Sequence, residues 1–533
     1  MIMNQNIMCI TSHRRNIVYI ICDQLRYDYL SAYGADFIPT PNIDSLSANG
    51  VIFDNAITAA PVCGPARASI VTGQHVSTHG CWTNNIPCKA GTVYLADRLN
   101  AAGYMTAAVG SFDHAPFGDP IGYRYLRRFD EDHKECEYLK ELKERHPEAT
   151  TSFMKEDMHF KYREEEHYDS WSCDRAIEFM ESYSKTGVAP DGSCPDVEDA
   201  PFFLYCGFLM PHAPYLPPKE VSGSVDPDRI PEPWILERDD IPSVEQYRRA
   251  FLNPSEALEN PRSVFPVRKK ERLAYCEMIV AIDYLVGRVV KALKELGIYE
   301  NTTIIFSADH GDMENDYNIS TKGPWPYSPS LFIPMIISNH PQLAAGSRSD
   351  VLCGNLDIGA TVLDIAGDNK AFGVSRSMIG MVNGQVAERS VNLSEFCDSC
   401  KFLVDKRYTF TYYPFTGVYT LFDRLEDPRF TTNLALLPEY TATVQHFLMK
   451  VIDYMILAKG VHIEAHDMAP DVKAGIEGMN PKFLEDFDIY YPLGNMEEVE
   501  RVRRAGLDEN YNEFCKGREI KAHYGVYFKK DDK

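Results

Sequence analysis

Three short apolar runs constrain this chain more than any other feature. Ile17 to Cys22 (IVYIIC), Pro201 to Leu209 (PFFLYCGFL) and Thr302 to Ser307 (TTIIFS) show no strand-like alternation of polar and apolar residues. Such runs suit strands buried on both faces rather than one. Helical segments separate them. Thr40-Pro41 supplies an N-cap and first-turn proline for a helix that stops at Gly50. Thr92 to Ala102 reads as a helix ending at Gly103, followed by a strand from Tyr104 to Val109. Lys270 to Leu296 is the strongest helix, with Leu273, Met278, Ile282, Leu285, Val289 and Leu293 at helical spacing and Gly297 closing it. Leu331 to Ser338 is a further strand. Repeated βα units with buried runs predict the α/β class, a mostly parallel sheet flanked by helices.

In such sheets ligands sit beyond the carboxyl ends of the strands. Polar motifs stand at those places: Asp23-Gln24 after the first run, His212 after PFFLYCGFLM, and Asp309-His310 after TTIIFSA. An aspartate after a strand often only caps the next helix. Two such sites on separate strands, one continuing as ADHGD, point instead to a cation held by oxygen ligands and one imidazole. Asp23, Gln24, Asp309 and His310 are the candidate ligands.

The stretch APVCGPARASIVTG places Cys63 at the start of a helix running through Ser69 and Ile70. Free N–H groups and the dipole at a helix N-terminus favour an anion there, and Arg67 adds a bidentate donor. On spacing alone Cys63 is a turn residue, a thiolate nucleophile of lowered pKa, or the precursor of something else.

CGPAR matches the C-x-P-x-R signature of the sulfatase family, in which the cysteine is oxidised to formylglycine. The resemblance extends through NIVYIICDQLRYDYL, TPNIDSLSANGVIFDNAIT, LMPHAPYLPP, SADHGD, Thr321-Lys322-Gly323 and YTLFDRLEDPRFTTNLA. It implies the alkaline-phosphatase-like fold, with a smaller C-terminal α+β subdomain. It also implies one divalent cation held by Asp23, Gln24, Asp309, His310 and formylglycine 63, with Ca2+ expected and Mg2+ or Mn2+ as alternatives. By the same resemblance, Arg67 favours the alkoxide of the hydrated aldehyde, one oxygen attacks sulfur, and Lys322 steadies the charge on the sulfuryl oxygens. His212 or Lys322 assists the leaving alcohol. The second hydroxyl then expels sulfate and restores the aldehyde, a step that an ordinary Cys or Ser lacks. Asn84, Ser111 and His114 are the expected substrate-binding residues.

The pattern departs from the family in places. Asp23-Gln24 stands where many sulfatases have two aspartates, as in choline-sulfatase-like and phosphonate-monoester-hydrolase-like members. The usual G-K-x-H is Gly110-Ser111-Phe112-Asp113-His114, without the lysine and with the histidine one place late. The usual T-G-R is Thr72-Gly73-Gln74. A sulfatase acting on a small sulfate ester or short sulfated saccharide is the first reading. A phosphonate monoester or phosphodiester hydrolase with the same apparatus is the rival, and an inactive sulfatase-like binding protein comes third. A two-zinc phosphatase needs more histidine and aspartate ligands and a Ser or Thr in place of Cys63.

With a formal charge of −23, no basic surplus exists for nucleic acid. No run approaches a membrane span, and the N-terminus lacks a signal-peptide pattern. Several of the 14 cysteines, such as Cys22 and Cys206, lie in apolar segments, as in a reducing cytoplasm. Cys397 and Cys400 form a lone CxxC read as a surface turn. Expected partners are the ester substrate and a formylglycine-generating or anaerobic sulfatase-maturating enzyme, with homo-oligomerisation left open. The expected organisation is a catalytic domain over 1–380, a subdomain over 381–480 that holds antiparallel strands from Lys401 to Phe422 and a helix from Tyr440 to Ala458, and a tail over 481–533.

Overall fold

The computed structural model describes residues 14–112, 120–129, 136–149, 155–156, 159–236, 241–242, 245–246, 265–397, 399–414 and 416–458. His114 and the tail over 481–533 lie outside the described residues. The strands of the first part are β1 (Asn16–Asp23), β2 (Gly50–Ile57), β3 (Met105–Ser111), β4 (Tyr125–Phe129), β5 (Lys155–Glu156), β6 (His159–Phe160), β7 (Phe202–Pro211), β8 (Thr302–Ala308), β9 (Met335–Ser338) and β10 (Ser347–Gly354). Eight of them form one sheet in the order β10-β2-β9-β8-β1-β7-β3-β4. It is parallel except for β9, which runs antiparallel to β2 and β8. Every residue of β3, β7 and β8 is buried, which is why their sequences run apolar without alternation.

Helices Pro41–Ala48, Tyr168–Thr186 and Phe265–Glu295 pack together as one covering group, and Cys63–Thr72, Leu95–Ala101 and Ile358–Ile365 as another. Several expectations need adjustment. The helix expected from Thr92 starts at Leu95, because the Tyr94 amide is already taken by the Asp97 carboxylate at 3.1 Å. The strand expected over Leu331–Ser338 is confined to Met335–Ser338, since Ser328–Leu331 forms a helical turn with proline near its start. The charged segment over 159–168 carries buried Phe160, Glu166, His167 and Tyr168.

A second sheet of four antiparallel strands follows: β11 (Asn392–Phe396), β12 (Cys400–Val404), β13 (Tyr408–Tyr413) and β14 (Val418–Asp423). Its alternation assigns the two faces. Phe402 and Val404 pack with Ile57, Val62 and Phe332 towards the large sheet. The cross-strand row Leu393, Leu403, Phe410 and Leu421 meets helix Thr441–Ala458, where Phe447 stacks on Phe410 at 5.3 Å. The CxxC joins β11 to β12, and Cys400 is fully buried in a strand rather than in a surface turn. Among the described residues, no helix is long and apolar enough to cross a membrane.

His167 shows how burial restricts a titratable group. Its Nδ1 accepts from the Asp169 amide at 3.2 Å as the N-cap of helix Tyr168–Thr186. Its Nε2 lies 3.3 Å from the Leu216 carbonyl, to which the neutral ring donates. Protonating Nδ1 would set two donors against each other, and burial pushes the pKa down to about 3. Because the folded pKa lies below the unfolded one, the stabilisation is complete above about pH 6.5 and is lost as pH falls towards 3. Asparagine keeps the cap without the titration. We expect His167→Asn to remove about 2 kcal/mol of the stability difference between pH 7 and pH 5. Urea denaturation at the two pH values checks this, and equal differences for both proteins would refute it.

Candidate active site

Parallel strands bring chemistry that is distant in sequence to one end of the sheet. β1 lies between β7 and β8, so Asp23 at its end stands beside the ends of both neighbours. Asp309 follows β8 directly, and its amide donates to the Cys22 carbonyl at 3.2 Å. At the other side the β1–β7 register jumps from Cys22 opposite Phe208 to Asp23 opposite Pro211. The Asp169 carboxylate accepts the two amides freed there, Leu209 at 2.8 Å and Met210 at 2.7 Å. That bulge aims the turn carrying His212.

Cys63 is the first residue of a helix whose every residue is buried. Its Sγ lies 3.0 Å from Lys322 Nζ, 3.2 Å from His310 Nε2 and 3.4 Å from Asp23 Oδ1. Ligand atoms of Asp23, Cys63, Asp309 and His310 all fall within 4.8 Å of one another. The Gly64 amide donates to Asn84 Oδ1 at 2.9 Å, a contact that glycine permits because an added Cβ would stand 3.1 Å from that oxygen.

Arg67 ties the two aspartates together. Its Nε donates to Asp309 Oδ2 at 2.9 Å and one terminal nitrogen to Asp23 Oδ2 at 3.0 Å. The other terminal nitrogen donates to the Ser111 carbonyl at 2.8 Å and to the Tyr205 hydroxyl at 2.9 Å. Gly207 admits that carbonyl, since a Cβ there would come within 2.0 Å of it. Ser111 therefore meets the site through its backbone.

The donor set fits a divalent cation. Gln24 Oε1 is buried without a hydrogen-bond partner, a costly state unless something else takes its lone pairs. Burial and the facing Asp309 carboxylate raise the Asp23 pKa, a repulsion that a cation between them would relieve. His310 Nδ1 lies 2.8 Å from the Gly311 carbonyl and donates to it, leaving Nε2 as the basic nitrogen. Burial pushes the His310 pKa down to about 4, so the ring is neutral at pH 7 and competent as a ligand. Burial and the Lys322 charge likewise push His212 down to about 3, and its Nδ1 pairs with the Ala213 carbonyl.

The structure thus gathers Asp23, Gln24, Cys63, Arg67, Asn84, Ser111, Asp309, His310 and Lys322, with His212 close enough to feel the lysine charge. Sequence reasoning missed Tyr205, Asp169, Thr58 and Asn355, the last two of which donate to the Asp309 carbonyl. No spacing signal marks such residues, because each acts from a separate element on an atom that motif reading does not consider.

A family model described as Sulfatase matches residues 15–368. An arylsulfatase of Clostridium perfringens is 28% identical over 486 residues, covering 82% of this chain and 93% of that protein. The multifunctional alkaline phosphatase superfamily protein PehA of Trinickia caryophylli is 26% identical over 514 residues, covering 83% and 95%. Among solved structures, the phosphonate monoester hydrolase of Agrobacterium radiobacter superposes with a TM-score of 0.68 at 23% identity, covering 84% of this chain and 96% of that one. At that identity the likeness shows the fold alone.

Proposed function

The chain belongs to the sulfatase family and is a sulfuric ester hydrolase, and from this premise we propose that it works through formylglycine at position 63 beside one divalent cation. The observation that carries this reading is the position of Cys63 Sγ, 3.0 Å from Lys322 and 3.2 Å from His310 at a buried helix start. Sγ marks where the oxygens of the hydrated aldehyde would stand. Asp23, Gln24, Asp309 and His310 would hold the cation, Ca2+ first, with Mg2+ or Mn2+ as alternatives. Bound there, the cation would supply Lewis acidity to the sulfuryl oxygens, and formylglycine would supply a nucleophile with a second hydroxyl for release.

The chain's own residues divide the remaining work. Arg67 orients both aspartates and favours their ionised forms. Asn84 fixes the helix start through the Gly64 amide, and we retain it with Ser111 and His114 as substrate-binding positions. Lys322 donates to the leaving oxygen, since a lysine ammonium brings its proton with it. His212 is the weaker donor: it is held neutral, and Nδ1 is already engaged with Ala213. We expect Lys322→Ala to lower kcat on an aryl sulfate by about 10²–10³-fold with a smaller change in KM. A kcat within a factor of a few of the parent would reverse the assignment.

Mass spectrometry of the peptide over residues 61–67 from the native host tests the central claim. An aldehyde at position 63 supports it, and an unmodified thiol removes it. The same experiment implies the maturating enzyme as partner. The substrate we propose is a small sulfate ester or short sulfated saccharide, and turnover confined to large polymers would refute this. Comparative turnover on aryl sulfate, phosphonate monoester and phosphodiester separates this reading from its rival, which Ser111 in place of the usual lysine favours. We place the enzyme in the cytoplasm. Cys22, Cys173, Cys206, Cys276 and Cys353 are buried free thiols, which supports a reducing compartment. The division into a catalytic domain over 1–380 and a subdomain over 381–480 belongs to the same proposal, supported by the separate antiparallel sheet.

A further inference from the structure

Resting on that reading of the cation site, we propose that Asp312 is a positioning residue, which acts through Gln24 by deciding which end of its amide faces the cation. The backbone of Gln24 is pinned at both polar groups. Its amide donates to Asp309 Oδ1 at 3.0 Å, its carbonyl accepts from the Tyr275 hydroxyl at 2.7 Å, and its φ of 67° lies in the left-handed region. A non-glycine residue stays in that region only when its surroundings hold it there. The Cα–Cβ direction is therefore set, and one choice remains.

That choice is the amide flip. The two ends of a terminal amide have nearly the same shape, so packing does not separate them. Asp312 does. Gln24 Nε2 donates to Asp312 Oδ2, and Asp312 Oδ1 accepts the Glu314 amide at 2.7 Å. A carboxylate only accepts, so it takes the N–H end and turns Oε1 away from itself. Oε1 is the buried oxygen that has no hydrogen-bond partner. Both oxygens of Asp312 are engaged with donors.

Asp312 is itself held firmly. It is fully buried, and the residue whose amide it accepts, Glu314, has a φ of 43°. The Glu314 carbonyl accepts from Arg272 Nε at 2.7 Å, and its carboxylate accepts from the Tyr215 hydroxyl at 2.6 Å. The same logic sets the residue type at 24. Aspartate or glutamate there would bring a second acceptor-only group against Asp312, whereas glutamine offers N–H to one side and oxygen to the other.

Calorimetric titration of Ca2+ alone into the chelator-stripped full chain tests this without measuring turnover. Asp312→Ala is expected to raise the Ca2+ Kd by about 10–100-fold, the usual effect of losing a ligand's orienting partner. Gln24→Ala is expected to do the same. The double variant should bind no more weakly than Gln24→Ala, within about twofold, because Asp312 has nothing left to orient. Asp312→Asn keeps an acceptor but adds an N–H end, so either amide orientation pairs and an intermediate loss is expected. If Asp312→Ala does not fold, Asp312→Asn in the parent and Gln24→Ala backgrounds completes the same cycle. Parent-like Kd for the position 312 variants overturns the inference, as do losses that multiply in the double variant, which would mark a charge effect independent of Gln24. A parent chain that binds no Ca2+, Mg2+ or Mn2+ overturns the cation site itself, a different failure.

Discussion

Replacing Cys63 with alanine is expected to lower kcat/KM on an aryl sulfate by about 10⁴-fold or more while leaving the fold intact. Loss of a nucleophile in a preorganised site costs this much because the remaining groups have no atom to deliver to the ester. Alanine suits the position structurally, since the site is the first residue of a buried helix and alanine is the best helix former. Circular dichroism and urea denaturation should therefore match the parent closely. Activity within tenfold of the parent would sink the nucleophile assignment. It would also revive the reading of Cys63 as a turn residue.

The second large effect is expected at Arg67. Its guanidinium is buried and is the shared cation of Asp23 and Asp309. Arg67→Met keeps much of the volume and removes the charge. Two buried carboxylates then face each other without it, and breaking a buried pair by removing one partner costs about 3–5 kcal/mol. The Ser111 carbonyl and the Tyr205 hydroxyl lose a donor as well. We expect that destabilisation in chelator-treated protein, by urea denaturation, with partial recovery on adding Ca2+, which supplies positive charge at the same carboxylates. Lysine is expected to recover less than its charge suggests, because one ammonium does not reproduce a planar fork across two carboxylates. An Arg67→Met protein as stable as the parent in chelator would show that the aspartates do not need the pair.

Much of the site was legible before the fold was known, for a specific reason. Candidate ligands and a candidate nucleophile are particular residue types, and a parallel sheet delivers them at strand ends, so Asp23-Gln24 and Asp309-His310 stand at the ends of visible apolar runs. The cysteine helix was legible through its small residues and arginine. What resisted reading were the groups whose role is to hold others. Asp169 joins the N-terminal turn of one helix to a bulge in β7, yet in sequence it is an aspartate in an acidic stretch. Tyr205 sits inside an apolar strand and reads as core. His167 lies in a charged segment that reads as surface, because the carbonyl its ring pairs with, that of Leu216, lies far along the chain.

By itself, then, the sequence determined the class of fold, the chemical inventory of the site and the family that uses it. Those follow from local periodicity and residue type, which a chain carries with it before folding. The tertiary structure alone decided which groups meet and which way each faces. Arg67 pairs with two aspartates rather than with solvent, Ser111 contributes a carbonyl, and Asp312 reads one end of the Gln24 amide. Orientation of this kind is set by distances between strands that the sheet order brings together, and no spacing along the chain encodes them.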